Sequence, residues 1–511
     1  MFEISEQEVL GRLRFDNPWW NDDAPKDVAY MELPRRKYFE PFLKAVEDRS
    51  VKRAVVLMGP RRVGKTVMIF HAISSLLEKG VHAKNIVYLS LETPLYTGLR
   101  LDKIFSMYTS MHGLQRDEEV FVFFDEVQYL KDWEVHLKSL VDSFPAAKFV
   151  ATGSAAAALR MKSNESGAGR FSDFMLPPLT FAEYLQFIGR EDELITFSEE
   201  RIVHNGTELK GQVKKIYATS NIQGLNDEFV NYLNFGGYPE AVFSKTVQLD
   251  PGQYVKSDII DKVLLRDLPS LYGIKDIQEL NRLFTVLAYN TGNEVSLEDL
   301  SRSSGVAKNT IKRYIEYLEA AFLIRRVERI DQSAKRFRRA MCFKVYLTNP
   351  SMRAALFGQV TAESDAMGSL TETAIFSQWQ HSETIELFYA RWNGGEIDIV
   401  SLLGSSQTPI WAVEVKWSDR PVKNSEQLRH CAEFAKTHPK LHQPVLVTTR
   451  TLTGDQQYKG CSFEFKPSSV YAYTLGVNIL KSKYRELPSI SLDIEPPTTH
   501  LKLTKSKAPR T

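Results

Sequence analysis

Cysteine, net charge and long apolar runs are all scarce in this sequence of 511 residues. The three cysteines, Cys342, Cys431 and Cys461, show no paired spacing, which argues against a disulfide framework and a zinc site. No stretch approaches the ~18 apolar residues of a membrane-spanning helix, and the acidic N-terminus is unlike a secretory signal. Lysine and arginine (65) balance aspartate and glutamate (63), so overall charge indicates no polyanionic partner. These absences predict a cytoplasmic protein that does not bind membranes.

The length of the chain predicts several domains. A single hydrophobic core does not usually serve 511 residues. At about 150 residues per domain, the prediction is three domains, give or take one.

The most specific motif is a phosphate-binding loop. An apolar run over residues 54–58 leads into Gly-x-x-x-x-Gly-Lys-Thr, and helical spacing follows directly. Backbone N–H groups at the start of that helix would wrap a polyphosphate, Lys65 would reach the β and γ phosphates, and Thr66 would ligate Mg²⁺. We therefore predict that ATP is bound by Gly59, Pro60, Arg61, Arg62, Val63, Gly64, Lys65, Thr66 and Val67.

Two adjacent acids follow a second buried strand. The run Val120–Phe124 is apolar throughout, as in a strand of a parallel sheet, and it ends in Asp125 and Glu126. The carboxyl ends of such strands bind ligands, so we expect Asp125 to hold Mg²⁺ and Glu126 to take the proton from the attacking water. The next strand ends at Thr152 and Ser154, which would sense the γ phosphate or simply form a turn.

Arg170 is a candidate for stabilising transition-state charge. It lies at the edge of a loop, where its guanidinium could act within its own chain or across a subunit contact in a homo-oligomer. A surface ion pair is the alternative.

Residues 275–349 have the layout of a winged helix-turn-helix domain. A short helix, a turn at residues 304–306 and a second helix precede two strands that would form the wing. The second helix has Lys308, Asn309, Lys312 and Arg313 on one face. The stretch from Arg325 to Lys344 has two acidic residues and eight basic ones. The basic residues are Arg325, Arg326, Arg329, Lys335, Arg336, Arg338, Arg339 and Lys344. This local charge favours DNA contact, although such domains also act as spacers or protein contacts.

The last globular unit, residues 350–480, has the acids of a nuclease-type site. A hairpin carries Asp398, and the following strand carries Glu414 and Lys416 on one face. If the strands pair, Asp398 and Glu414 would hold Mg²⁺ while Lys416 positions or activates a water for attack on a phosphodiester. Glu372, on the preceding helix, would add another acid. An exposed ion pair on an inert strand is the alternative.

These motifs, in this order, resemble those of predicted prokaryotic ATPases of the AAA+ superfamily whose C-terminal part is the domain DUF4143. The resemblance covers roughly residues 30 to 480. It rests on Gly59–Thr66, Phe124-Asp125-Glu126-Val127-Gln128, Thr152-Gly153-Ser154, Gly169-Arg170, Gly236-Gly237-Tyr238-Pro239-Glu240, Glu396-Ile397-Asp398 and Glu414-Val415-Lys416. It implies an ATPase core, a winged helix and a domain similar to PD-(D/E)xK nucleases. It also implies a γ-phosphate sensor at Thr152 to Ser154 and an arginine finger at Arg170.

The expected fold is α/β: a P-loop AAA+ ATPase with a parallel sheet, a winged helix domain and a C-terminal α/β restriction-endonuclease-like domain. The expected segments are a helical lead-in (1–50), the ATPase core (51–190), a helical lid or insertion (191–274), the winged helix (275–349), the nuclease-like domain (350–480) and a basic tail (481–511). The expected function is Mg²⁺-dependent ATP hydrolysis, with the nucleotide state controlling a winged-helix and nuclease-like C-terminal part that acts on DNA. A non-cleaving switch or scaffold that binds DNA or protein is the alternative.

Overall fold

The computed structural model describes most of the chain. The described residues are 5–21, 28–96, 98–154, 169–204, 207–336, 342–382, 385–404, 407–442 and 444–483. Two of the eight basic residues counted above, Arg338 and Arg339, lie outside them, as does the predicted tail from residue 484 onward.

A five-stranded parallel sheet organises the first part of the chain, in the strand order β2–β3–β4–β1–β5. Its strands are β1 (Ala54–Met58), β2 (Ile86–Ser90), β3 (Val120–Asp125), β4 (Ala147–Gly153) and β5 (Phe171–Met175). The accompanying helices are α1 (Glu6–Asp16), α2 (Phe39–Glu47), α3 (Lys65–Glu78), α4 (Leu101–His112) and α5 (Trp133–Ser143). Every residue of β1 and β3 is buried, as expected of apolar strands covered on both faces. The predicted parallel α/β fold is confirmed.

The N-terminal segment completes the hydrogen bonding of the outer strand β2. The indole nitrogens of Trp19 and Trp20 both donate to the Ile86 carbonyl, at 3.1 and 2.9 Å. The Asn17 side chain donates to the Tyr88 carbonyl at 2.9 Å and accepts from the Tyr88 amide at 2.6 Å. The backbone of an edge strand is thereby kept from pairing with another chain.

A mostly helical region follows the sheet. Its elements are α6 (Phe181–Phe187), α7 (Glu191–Leu194), β6 (Thr196–His204), β7 (Thr207–Ala218), α8 (Ile222–Phe235), α9 (Pro239–Phe243), α10 (Pro251–Tyr254), two π-helical turns (Val255–Asp261 and Val263–Asp267) and α11 (Leu268–Tyr272). The antiparallel β6–β7 hairpin lies within the segment 191–274, for which the sequence predicted a helical lid or an insertion. Its polar composition concealed it, because a hairpin satisfied by backbone pairing need not show apolar alternation.

The segment 277–347 contains the two helices and the hairpin that the sequence predicted. Its elements are α12 (Ile277–Tyr289), β8 (Glu294–Ser296), α13 (Leu297–Ser304), α14 (Lys308–Ala320), β9 (Ile324–Ile330) and β10 (Cys342–Leu347). Leu300, Ile311, Ile315 and Leu318 are buried between the helices, whereas Lys308, Lys312 and Arg313 are exposed.

The rest of the described chain continues this hairpin into a nine-stranded sheet. Its elements are α15 (Ser351–Phe357), α16 (Met367–Trp379), β11 (Leu387–Trp392), β12 (Gly395–Leu403), β13 (Thr408–Glu414), α17 (Arg420–Lys423), α18 (Arg429–Thr437), β14 (Val445–Thr449), β15 (Gly454–Tyr458), β16 (Cys461–Pro467) and α19 (Ser468–Lys483).

The strand order in this sheet is β15–β16–β14–β13–β12–β11–β9–β10–β8. A short parallel pairing of Tyr389 with Arg329 and of Ala390 with Ile330 joins β11 to β9. The expected boundary at residue 349 therefore falls inside one sheet. The predicted winged helix domain and the predicted nuclease-like domain therefore share this sheet.

Candidate functional site

The phosphate loop connects β1 to α3 and depends on two glycines. A Cβ atom at Gly59 would lie 2.2 Å from the Leu176 carbonyl oxygen, because the chain beyond β5 crosses there. The Leu176 amide fixes this crossing by donating to the Met58 carbonyl at 2.7 Å. Gly64, which precedes the first residue of α3, has φ = +93°, a left-handed conformation that favours glycine.

Lys65 points into the loop. Its ammonium donates to the carbonyls of Gly59 and Pro60, at 3.2 and 2.9 Å. Burial lowers the pKa of the Lys65 amine, while the nearby carboxylates of Glu126 and Asp125 oppose that shift. A buried positive charge thus lies at the N-terminus of α3, an arrangement suited to binding phosphate.

Asp125 and Thr66, the two predicted Mg²⁺ ligands of the ATP site, are in contact. The Thr66 hydroxyl and the Tyr88 hydroxyl donate to the same Asp125 oxygen, at 2.8 and 2.9 Å, and Thr152 donates to the other. Burial and the charge of Glu126 raise the pKa of Asp125 above its usual value, although these hydrogen bonds act in the opposite direction. Carboxylate and hydroxyl oxygens suit Mg²⁺, which usually keeps several waters. Among the residues described, no group of three or more His, Cys, Asp or Glu side chains has metal-site geometry.

Glu126 is held at the end of β3 by a small polar network. Its backbone is left-handed, with φ = +57°, and its amide donates to the Thr152 hydroxyl at 2.9 Å. The Gln128 side chain donates to the Glu126 carboxylate and accepts from the Ser154 amide at 3.4 Å. Sequence reasoning gave Gln128 no role. Its signal was present in the Asp-Glu-x-Gln spacing.

Arg61 and Arg62, predicted to bind ATP, are paired with acids of the helical region. Arg61 lies 3.2 Å from Asp267. Arg62 lies 3.1 Å from Glu240 and 2.9 Å from Asp258. Sequence reasoning missed these three acids as members of the site, although Glu240 stands in the Gly-Gly-Tyr-Pro-Glu motif.

A cleft of about 790 Å³, which is within the usual range for ligand sites, adjoins the phosphate loop. Lys65, Thr66, Asp125 and Glu126 are among its lining residues. Less polar side chains also line it: Tyr30, Leu33, Pro34, Phe39 and Met68. The lining thus combines charged and hydroxyl groups with apolar surface.

Arg170 lies at the opposite edge of the sheet from the phosphate loop. The Ala54 amide, at the start of β1, donates to the Arg170 carbonyl at 2.9 Å, and the guanidinium pairs with Asp142 at 2.5 Å. Because β1 spans five residues, about 17 Å, Arg170 lies far from the phosphate loop of its own chain. This distance argues against an arginine finger that acts within one chain, and a role across a subunit contact stays a prediction.

The second predicted site also assembles, on β12, β13 and α16. Lys416 lies 2.6 Å from Glu414 and 3.6 Å from Asp398, and the Val415 amide donates to Asp398 at 2.9 Å. Glu414 has one buried carboxylate oxygen without a hydrogen-bond partner. Asp398 and Glu414 therefore fit a cation that takes two carboxylates and completes its shell with water.

Lys344 was not predicted to belong to this site. It was counted as part of a DNA-facing basic surface, yet its side chain is 3% exposed and lies 2.8 Å from Glu372. The Tyr346 hydroxyl donates to the same Glu372 oxygen at 2.5 Å. The local charge available for DNA in this segment is correspondingly smaller than the sequence suggested.

Burial and mutual repulsion set the charge states of the acids in this second site. Burial and the Asp398 charge raise the pKa of Glu372 and of Glu414 to about 7, against the opposing effect of the lysines. Burial also acts to raise the pKa of Asp398, but Lys416, Lys344 and the Val415 amide outweigh it and hold that pKa below its usual value. Asp398 is thus the most strongly ionised of the three.

Comparisons with known proteins bear on the first site. Residues 51–185 match the family AAA_14, described as an AAA domain. Residues 226–363 match DUF8612, described as a domain of unknown function. Residues 51–185 are therefore similar to an AAA domain, and their parallel sheet and loop have a P-loop ATPase-like fold. DUF4143, which the sequence resemblance implied for the C-terminal part, is not shown by these matches.

The similar proteins include uncharacterized ones. MJ1637 of Methanocaldococcus jannaschii is 23% identical over 361 residues, covering 69% of this chain and 74% of its own length. A Haemophilus influenzae protein is 24% identical over 332 residues, covering 64% of this chain and 74% of its own. Among solved structures, the Aeropyrum pernix Orc1 protein in complex with DNA has 13% identity and a TM-score of 0.28, over 66% of this chain and 94% of that one.

None of the helices in the described ranges has both the length and the apolar character needed to cross a membrane.

Proposed function

We propose that this protein is a cytoplasmic, Mg²⁺-dependent ATPase. The observation that carries the proposal is the 2.8 Å contact between Thr66 and Asp125 beside the buried ammonium of Lys65, all facing one cleft. Loop amides and Lys65 would hold the phosphates, and Thr66 and Asp125 would hold the metal. When Mg²⁺ is bound, it offsets the charge of the β and γ phosphates.

Glu126 is the proposed general base. It stands beside Asp125 at the carboxyl end of β3, and Gln128 and Thr152 hold its side chain and backbone in place. From this position the carboxylate would take the proton of a water attacking the γ phosphate. Ser154 and Thr152 would orient that water or contact the γ phosphate.

Replacing Glu126 and Lys65 tests the ATPase proposal. Glu126→Gln should still gain thermal stability from Mg²⁺-ATP, because ligand binding stabilises the folded state, but hydrolyse it at least ~100-fold more slowly. Lys65→Ala should lose both the hydrolysis and the thermal stabilisation by Mg²⁺-ATP. Glu119→Gln is the matched control, because Glu119 directly precedes the first residue of the same strand. This variant should hydrolyse ATP at the unmodified rate. Normal hydrolysis by Glu126→Gln would remove that residue from the proposed role.

We further propose that the C-terminal part acts on DNA under the control of the nucleotide state. Asp398 and Glu414 would hold Mg²⁺, and Lys416 would activate a water for phosphodiester hydrolysis. The continuous sheet supports this proposal, because it joins the segment 277–347, a winged helix in our assignment, directly to the acids of β12 and β13. The alternative is a switch or scaffold that binds DNA or protein without cleavage.

Cleavage assays separate these candidates. The nuclease proposal expects Mg²⁺-dependent DNA cleavage that Lys416→Ala abolishes while ATP hydrolysis persists. Salt-sensitive DNA binding without cleavage would favour the switch. Absence of DNA binding would favour a protein scaffold. An ATPase rate measured with and without DNA reports whether the two parts communicate.

In the ATPase proposal, Arg170 takes part only across a contact between two subunits. Its side chain is 43% exposed and paired with Asp142 on the surface, so a neighbouring copy would have to bring its own phosphate loop to that edge. Mixing inactive Lys65→Ala and Arg170→Ala proteins tests this: a homo-oligomer with a shared site would regain hydrolysis. No recovery would leave Arg170 as a surface ion pair.

A further inference from the structure

Lys344 is built into the acidic site from a strand that lies outside the predicted nuclease-like domain. It sits in the middle of β10, paired with Val327 of β9 and Glu294 of β8. Its ammonium lies 2.6 Å from Glu396, 2.8 Å from Glu372 and 3.4 Å from Asp398. The ammonium donates to Glu372 and Asp398, and Glu396 adds an ion pair.

Lys416 serves the other half of the same cluster. It contacts Glu414 and Asp398, and its side chain is 40% exposed. Asp398 is shared between the two lysines. The exposure of the two lysines therefore divides the cluster into an enclosed half around the buried Lys344, with Glu372 and the partly exposed Glu396, and an open half around the partly exposed Lys416, with Glu414.

The two halves of the cluster differ in whether they can accept a metal ion. The Lys344 side chain is 3% exposed, and removing one partner of a buried ion pair leaves an uncompensated charge that is strongly unfavourable. Tyr346, two residues along the same face of β10, also donates to Glu372 and helps to hold it against Lys344. In the open half, Glu414 keeps a buried oxygen without a partner.

We infer that Lys344 is the permanent cation of the enclosed half, so that Glu372 and Glu396 position Lys344 and do not ligate metal. The site then takes one divalent cation at most, at Asp398 and Glu414. This inference rests on the metal-binding part of the proposed function. It assigns Lys344 as a positioning residue that limits the site to a single metal ion.

Binding of Mn²⁺ to the full-length, nucleotide-free chain, followed by electron paramagnetic resonance of free Mn²⁺, tests the inference with two matched Glu→Gln variants. Glu372→Gln should bind as many Mn²⁺ ions as the unmodified protein, with a Kd changed less than about threefold, because Glu372 is held by Lys344 and Tyr346 and does not ligate the metal in this inference. Glu414→Gln should weaken one ion at least about tenfold, since loss of a mere outer-shell partner already costs 10- to 100-fold. Loss of an ion in Glu372→Gln would overturn the inference.

Lys344→Met provides the converse test. Vacating the enclosed half should allow one more Mn²⁺ per chain than the unmodified protein binds; any ion at the phosphate loop cancels in this difference. Arg391→Met is the control, because Arg391 also contacts Glu396, at 3.4 Å, but from an exposed position. It should add no ion. A folded Lys344→Met protein without the extra ion would overturn the inference, and if that variant does not fold, the Glu372→Gln result decides.

The outcomes also separate this inference from the proposed metal site. If Glu414→Gln loses no ion while Lys344→Met gains one, the proposed site at Asp398 and Glu414 fails and the role of Lys344 stands. If Glu414→Gln loses an ion and Lys344→Met gains none, the proposed site stands and the role of Lys344 fails.

Discussion

Arg62 of the phosphate loop and Glu240 of the Gly-Gly-Tyr-Pro-Glu turn form an ion pair of 3.1 Å, although 178 residues separate them. The Tyr254 hydroxyl donates to the same Glu240 carboxylate at 2.8 Å. Asp258 shares Arg62 at 2.9 Å. Acids of the helical region thus neutralise an arginine that the sequence assigned to ATP.

Glu240→Gln should tighten ATP binding. Arg62 would keep only Asp258 as a partner, so the potential at the phosphate loop would become more positive. Because both side chains of the pair are about two-fifths exposed, the effect is limited to a two- to fivefold lower Kd, about 0.5–1 kcal/mol. Isothermal titration at low and high salt measures it, and the gain should shrink with salt. Glu433→Gln, which removes a remote pair with Arg429, is the control. Unchanged or weaker binding would contradict the prediction.

Gly59→Ala should destabilise the protein and abolish ATP binding. The added Cβ would stand 2.2 Å from the Leu176 carbonyl oxygen, so the loop or β5 would have to move. We expect a loss of about 2 kcal/mol or more in the free energy of unfolding. Gly11→Ala within α1 meets nothing within 4 Å and should be neutral or stabilising by up to about 1 kcal/mol. Denaturant unfolding and ATP titration of both variants check the contrast. A Gly59→Ala protein that binds ATP normally would argue against this packing.

His71 should make stability depend on pH. Burial lowers the pKa of its imidazole below the usual 6.5, so the ring stays neutral in the folded state while it becomes charged on unfolding. Its stabilising contribution is therefore complete above pH 6.5 and is lost as the pH falls through the lowered pKa. His71→Gln keeps a donor for the Tyr30 carbonyl, which accepts from His71 at 3.0 Å. Unfolding curves at pH 7.5 and 5.5 should show a smaller loss in the variant. Equal losses would contradict this prediction.

Removing three exposed cations of α14 should weaken DNA binding through its salt dependence. Lys308, Lys312 and Arg313 are exposed on one helix. If each contacts a phosphate, the triple alanine variant should lower the slope of log K against log salt by up to about 3. Fluorescence anisotropy across a salt series measures the slope. A triple variant of the exposed Lys131, Lys436 and Lys440 serves as control, and an equal effect there would argue against α14 as the contact.

The strand, loop and helix of the predicted ATP site could be read from the sequence because they are local. A strand, a loop and a helix follow each other over residues 54–78, and the β-branched run, the glycines and the lysine each indicate their own conformation. Asp125 and Glu126 could be added because parallel strands present their carboxyl ends at one edge. The same reasoning placed Asp398, Glu414 and Lys416 together. Their roles in catalysis stay predictions.

The sequence could not predict the partners of Arg61, Arg62, Arg170 and Lys344. Each of them depends on which distant element packs against it, and charge type alone does not decide between solvent, phosphate and carboxylate. Lys344 shows this most clearly: a lysine among arginines looked like a DNA contact, yet the pairing of β10 with β9 turned its side chain toward buried acids.

What the sequence determined by itself was the phosphate loop, the apolar strands around it and the α/β class, because these follow from periodicity and from the conformational needs of single residues. Only the tertiary structure decided that β9 joins β11 in one nine-stranded sheet, that Arg170 stands away from the nucleotide cleft of its own chain, and that Lys344 completes the acidic site. Those contacts bring together residues far apart in the chain, and pairing of strands and packing of side chains over such distances leave no local pattern in the sequence.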